Sequence, residues 1–198
     1  WTFRKAPNFF DVVTWTSDTS GNCSFSHNLG TTPGMVIIKR TDNCFTGWTT
    51  WHRGLSNTAR DYMYLNASDK KYTANFDYWN VTDTNVELAS GWQDGGNTTQ
   101  REYVAYVFAH DDSDESMIKC GSFTDLENSG ASSQHIELGF EPQFILMKTA
   151  SRESAWYMWD TMRGMSEPQS KFLLANDSVV ESYINSPFAI YPTPTGFY

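Results

Sequence analysis

The chain repeats itself, and this limits its folds more than any other feature. Residues 29–39 read Leu-Gly-Thr-Thr-Pro-Gly-Met-Val-Ile-Ile-Lys, and residues 138–148 read Leu-Gly-Phe-Glu-Pro-Gln-Phe-Ile-Leu-Met-Lys. The shared frame is Leu-Gly-x-x-Pro-x, four apolar residues and Lys, displaced by 109. Trp48 and Trp51 recur as Trp156 and Trp159 at a displacement of 108, and Arg53-Gly54 recurs as Arg163-Gly164 at 110. Asn66 matches Asn176 at 110, and Trp15-Thr16 matches Phe123-Thr124 at 108. Landmarks in one order at nearly constant spacing are the signature of tandem duplication. The expected organisation is a first repeat over 1–112 and a second over 113–198. The second is incomplete at its C-terminus: the first ends in Glu102-Tyr-Val-Ala-Tyr-Val-Phe-Ala-His110, and the second stops at Tyr198 before any counterpart. A missing last strand leaves a sheet edge that a neighbour or further chain must cover. The opening residues, Trp1-Thr2-Phe3-Arg4, are read as the start of a piece of a longer protein.

Within each repeat, short β-branched and aromatic runs alternate with Gly, Asn, Asp, Ser and Pro, which is a strand-and-turn pattern. Strands are predicted at 9–16, 24–28, 34–40, 48–52, 62–66, 72–79, 85–88 and 102–110 in the first copy. In the second they are predicted at 117–124, 133–138, 143–149, 155–159, 171–175, 179–184 and 188–191. Both faces of 102–110 are apolar, as expected of a central strand. No segment carries a sustained 3.6-residue stripe. The predicted class is therefore all-β: a tandem duplicated β-sandwich, jelly-roll or lectin-like.

Charge and composition narrow the function. Nine basic residues face twelve acidic ones in 1–112, and five face eleven in 113–198, giving −9 overall. A chain with this balance lacks the clustered cations that grip nucleic acid or an anionic leaflet. No apolar run reaches the roughly 18 residues of a spanning helix. Aromatic residues make up 16% of the chain, enough for a large core. Three cysteines, Cys23, Cys44 and Cys120, make a poor disulfide framework. Thiols suit assembly inside a cell, and a Cys23–Cys44 bridge across one hairpin is the alternative. The acidic run 111–115 reads as a solvated linker, with a calcium loop as the competing reading, although it lacks the Gly and distal Glu of an EF-hand.

The candidate ligand-binding residues are Trp48, Trp51, His52, Trp156 and Trp159. On a regular strand, positions i and i+3 face opposite sides. One indole of each pair would then enter the core, and the other would offer a platform for sugar rings. The competing reading buries both. His52, beside Trp51, is replaced in the second repeat by Asp160. Arg53-Gly54 and Arg163-Gly164 read as turn closures with Gly at positive φ, and Pro33 and Pro142 as strand-entry turns. Nucleophile elbows, zinc-protease helices, phosphate loops and dinucleotide fingerprints are absent. No catalytic, cofactor or metal residues are assigned.

Several segments carry a family resemblance. Phe3-Arg-Lys-Ala-Pro-Asn-Phe-Phe-Asp-Val-Val-Thr-Trp15, Ser26-His-Asn-Leu-Gly-Thr-Thr-Pro-Gly-Met-Val-Ile-Ile-Lys-Arg40, Trp51-His-Arg53, Tyr64-Leu-Asn66 and Tyr103-Val-Ala-Tyr-Val-Phe108 stand in this order. Together they resemble the duplicated β domain of unknown function found in tail-fibre and other virion structural proteins of marine tailed phages, the cyanophages. The resemblance implies a virion component, assembled in the host cytoplasm, in a homotrimeric fibre or a surface appendage. Its partners would be copies of itself, other virion proteins and a host-surface glycan. The leading expectation is a non-enzymatic module that contributes to host attachment. A purely architectural decoration or cement module is the second reading, and a polysaccharide-degrading domain the third.

Overall fold

The computed structural model describes residues 2–19, 23–42, 46–89, 100–113, 115–124, 134–186 and 188–198. Among these residues there is no helix, and every strand pair is antiparallel. The chain divides into two compact units. Unit 1 holds Trp1–Leu65, Lys71–Asp112 and Met117–Gly121, and unit 2 holds Asn66–Lys70, Ser113–Ser116 and Ser122–Tyr198.

Unit 1 contains β1 (Phe10–Thr16), β2 (Phe25–Ser26), β3 (Pro33–Arg40), β4 (Thr49–His52), β5 (Asp61–Tyr64), β6 (Tyr72–Thr73), β7 (Trp79–Val81), β8 (Asn85–Leu88) and β9 (Glu102–Ala109). A six-stranded sheet runs β1-β9-β3-β4-β5-β6, and a three-stranded sheet runs β2-β8-β7. As its two apolar faces predict, β9 is central, flanked by β1 and β3. Its period-two alternation buries Tyr103, Ala105, Val107 and Ala109 while Val104, Tyr106 and Phe108 stay half-buried. The buried set meets Val36, Ile38 and Trp51 of the same sheet and Phe25, Trp79, Val86 and Leu88 of the smaller one. This is sandwich-like layering, in which each fully buried aliphatic side chain contributes roughly 1.5–3 kcal/mol. Trp15 bridges the layers, stacking on Tyr103 at 5.1 Å and meeting Phe25 at 4.3 Å.

Unit 2 contains β10 (Ile136–Glu137), β11 (Phe144–Lys148), β12 (Trp156–Asp160), β13 (Gln169–Leu174), β14 (Ser182–Asn185), β15 (Pro192–Thr193) and β16 (Gly196–Phe197). Its sheets are β11-β12-β13-β14 and β10-β16-β15. Ile145, Trp159, Met165 and Phe197 form its core. Among the described residues β11 is an edge, whereas its counterpart β3 carries β9.

The pairing registers of the two units correspond residue by residue. Val36 faces Trp51 and Ile145 faces Trp159; Met35 faces His52 and Phe144 faces Asp160. Thr50 faces Met63 and Met158 faces Leu173, and Tyr62 faces Tyr72 as Phe172 faces Ser182. In the smaller sheets Phe25 faces Val86 and Ile136 faces Phe197. The Leu-Gly turns agree too: Gly30 and Gly139 both take left-handed backbone, at φ 75° and 84°, where a Cβ would be strained.

Three strand expectations need correction. Residues 117–124 form no strand. Residues 117–121 turn back on the end of β9, with the Asp111 amide on the Ile118 carbonyl (3.3 Å) and the Cys120 amide on His110 Nδ1 (3.2 Å) in place of a ladder. The 72–79 run is broken into β6 and the start of β7. Residues 188–191 precede the last hairpin rather than forming a strand, and β15 begins at Pro192 on a sheet edge, where the missing N–H costs no ladder bond.

Candidate functional site

The loop after β4 is built around two fixed points. Asp61, fully buried at the start of β5, accepts from Lys71 Nζ (2.5 Å), Thr73 Oγ1 (2.6 Å), Ser56 Oγ (3.0 Å) and the Asn57 amide (3.0 Å). Burial alone would raise its pKa, but these donors outweigh burial and hold it below the usual aspartate value. Trp51 Nε1 donates to the Thr58 carbonyl at 2.7 Å. The Arg53 amide donates to the Gly34 carbonyl at 2.9 Å, which ties the loop to β3.

Beside this loop lies an open cleft of about 570 Å3, within the size range of small-molecule sites. Thr31, Thr32, Pro33, Arg53 and Thr58 line it. Val81 and the segment His110–Asp112 complete it, and Trp51 borders it while only 4% exposed. The cleft thus combines three hydroxyls, a guanidinium and two carboxylates.

His110 and Asp112 in the cleft, and Cys120 and His52 close to its lining residues in sequence or by hydrogen bond, are already engaged. His110 Nδ1 accepts the Cys120 amide, which puts the proton of the neutral ring on Nε2, and Nε2 donates to Asp112 Oδ2 at 2.7 Å. Lys119 Nζ lies 3.1 Å from Asp112 Oδ1 and offsets that charge. Cys120 Sγ donates to the Ala109 carbonyl at 3.4 Å, and burial pushes the thiol up to about 12, which keeps it in its unreactive protonated form. His52 Nδ1 accepts the Gly54 amide at 3.0 Å; burial, and secondarily the Arg53 charge, bring the imidazole down to about 4, so it is neutral at physiological pH.

The four tryptophans singled out by sequence are dispersed. Trp51, Trp156 and Trp159 are 4%, 3% and 5% exposed. Trp159 stacks on Tyr157 at 5.3 Å, and the Trp156 amide donates to Asn176 Oδ1 at 2.7 Å. The packing reading describes these three. Trp48 precedes β4, is half-buried and stacks on Tyr106 at 6.1 Å. His52 lies on β4 next to Trp51. The exposed rings are others, Phe3, Tyr72, Phe76, Phe123, Tyr183 and Phe188 among them; Tyr62 stacks on Tyr72 (5.5 Å) and Phe76 meets Tyr78 edge-on (4.4 Å).

At the corresponding place in unit 2, Arg163 closes an ion pair with Asp160, and its amide donates to Asp160 Oδ1 at 2.9 Å. Positive φ occurs at Gly164 and not at Gly54, so the two turns differ despite their shared dipeptide. Cys44 and Asp114 lie outside the described residues, and with them the bridge and part of the calcium reading; Cys23 and Cys120 are both buried. Among the described residues no group of three or more His, Cys, Asp or Glu side chains is placed to hold a metal.

The sequence reading had no reason to join His110, Asp112 and Thr31 to Arg53. The available signal was the exchange of Asp160 for His52 between otherwise matching positions. The family described as "Domain of unknown function (DUF7483)" matches residues 6–191. The chain belongs to the DUF7483 family. The DUF7483 match spans β1 to β14 and so takes in residues of both units. No curated protein and no solved structure matches the chain.

Proposed function

We propose that the chain is a non-enzymatic module of a phage virion, carried in a tail fibre or similar surface appendage, that helps the particle attach to its host. Its two units descend by duplication from one β-sandwich. The duplication is supported by registers that correspond from strand to strand at displacements of 108–111. The virion setting is supported by the motif resemblance. The observation that carries attachment is the unit 1 cleft: it is open and rich in hydroxyls and charges, and its histidine and nearby thiol are already hydrogen-bonded. Such a site binds polar ligands without a free acid–base pair to cleave them. Several copies in a homotrimer would multiply a weak affinity into firm adhesion.

A glycan array and a host-cell adhesion assay on the assembled protein test this reading; adhesion is expected, and its absence removes the attachment function. The architectural reading has its own support in the burial of Trp51, Trp156 and Trp159. It wins if Trp→Ala changes there abolish particle assembly while the protein still adheres to cells.

A further inference from the structure

The two units treat a matching arginine in opposite ways. In unit 2, Asp160 pairs with Arg163, and Glu181 Oε2 lies 3.5 Å from Arg163 Nε. Asp160 faces Phe144 in the ladder, as His52 faces Met35 in unit 1, so His52 occupies the carboxylate's place. The His52 ring is neutral and spends Nδ1 on the Gly54 amide. Among the described residues, no carboxylate pairs with Arg53. Arg53 lines the cleft without an ion pair to any of them, and its guanidinium carries five donors in a fixed fork.

We propose that the unit 1 cleft binds a carboxylate-bearing polyol, a sugar acid of the hexuronic type, with its carboxylate on the Arg53 guanidinium and its hydroxyls against Thr31, Thr32, Thr58 and Asp111. This rests on the attachment reading and gives it a ligand class. The charge pattern selects one negative charge. Arg53 meets a carboxylate in two parallel bonds, whereas Asp111, which lines the same cleft, disfavours a second anionic group. The Asp111 carboxylate also accepts a ring hydroxyl. Replacing the carboxylate ligand by a neutral sugar would leave the guanidinium without its charged partner.

Titration of the full chain with glucuronate, followed by calorimetry or by amide shifts of residues 31–33, 53–58 and 110–112, tests the proposal. Saturable binding to one site is expected, with glucose and inorganic phosphate at least tenfold weaker. Arg53→Gln removes the cation. His52→Asp supplies the carboxylate that unit 2 uses to neutralise its arginine. Each is expected to weaken glucuronate binding at least tenfold, while Lys171→Gln, the same loss of charge on unit 2, leaves it unchanged. Arg53 is exposed and loses no ion pair to a described residue, so its variant keeps the fold, as a thermal melt would verify. No binding of glucuronate, equal binding of glucose or phosphate, or wild-type affinity in both unit 1 variants overturns the proposal. Adhesion to cells that persists in Arg53→Gln would overturn this ligand assignment and leave the attachment function standing. Loss of adhesion in the wild type would do the reverse.

Discussion

Gly34 and Cys120 touch so closely that a Cβ on residue 34 would lie 2.5 Å from Cys120 Cβ and 2.7 Å from its sulfur. The same added carbon would stand 2.9 Å from His110 Cβ. The contact seats residues 117–121 on the start of β3 and brings the Cys120 amide to His110. Gly34→Ala is therefore expected to destabilise unit 1 by about 1–3 kcal/mol, the usual penalty for overpacking, and to lift the segment away. A thermal melt should show the loss, and mass mapping after treatment with a thiol reagent should show Cys120 newly labelled. An unchanged melt with Cys120 still protected would refute the close contact.

Trp51 and Trp159 correspond in register and are equally buried, yet their indole nitrogens differ. Trp51 Nε1 has the Thr58 carbonyl, while Trp159 Nε1 is buried with no hydrogen-bond partner. Trp→Phe costs packing at both positions, but only at 51 does it also remove a hydrogen bond and strand a carbonyl. The difference should be about 1 kcal/mol or more, with Trp51→Phe the worse. Denaturant unfolding of the two variants compares them directly, and a larger loss at 159 would contradict the assignment.

Asp61 holds the cleft loop through four donors from Ser56, Asn57, Lys71 and Thr73. Asp61→Ala leaves those groups without their acceptor in a buried site and is expected to cost about 3 kcal/mol or more. Lys71→Met removes one donor and the charge, and should cost less, because Lys71 is 27% exposed and three donors remain. Hydrogen exchange at the Asn57 and Asp61 amides, which rest on this cap, should quicken in both variants and more in Asp61→Ala.

The parts of this fold legible in the sequence are those fixed by local alternation and by the repeat. The Leu-Gly-x-x-Pro frame located β3 and β11, and the two apolar faces of 102–110 located the central strand. Strand periodicity alone does not settle burial. Trp156 and Trp159 lie on opposite faces of β12, and both are covered. Period-two reasoning tells which side a ring leaves the strand, but not whether something packs over that side. Residues 117–124 read as a strand because they form one of the short apolar runs set between turn residues, ending on the Phe123-Thr124 that matches Trp15-Thr16. Their backbone instead finds partners on His110 and Asp111, a contact the alternation pattern does not encode. The cleft is assembled from four separated stretches, near 31, 53, 81 and 111, so no single window could display it. What the sequence did display was the Asp160-to-His52 exchange, whose meaning emerged only when the arginine beside each was located.

Acid should weaken unit 1 in two stages, because His52, Asp11 and Asp61 are shifted in the same direction but from different starting values. His52 falls from 6.5 in the unfolded chain to about 4 in the fold. The folded state prefers the neutral ring, so this contribution is complete above pH 6.5 and is lost as pH drops from 6.5 to 4. Its size is on the order of 3 kcal/mol at most, since each tenfold change in proton affinity is worth roughly 1.4 kcal/mol. Asp11 and Asp61 start from 3.8 and lie lower in the fold. In each, burial is outweighed by lysine and other donors. Folding favours their charged form, so their contribution is complete above about 3.8 and fades only as pH falls through their folded values. Urea midpoints measured from pH 8 to pH 2 should therefore decline first between 6.5 and 4, then again below 3.8. His52→Gln should flatten the first decline and leave the second. A first stage that survives in His52→Gln would show that another group carries it.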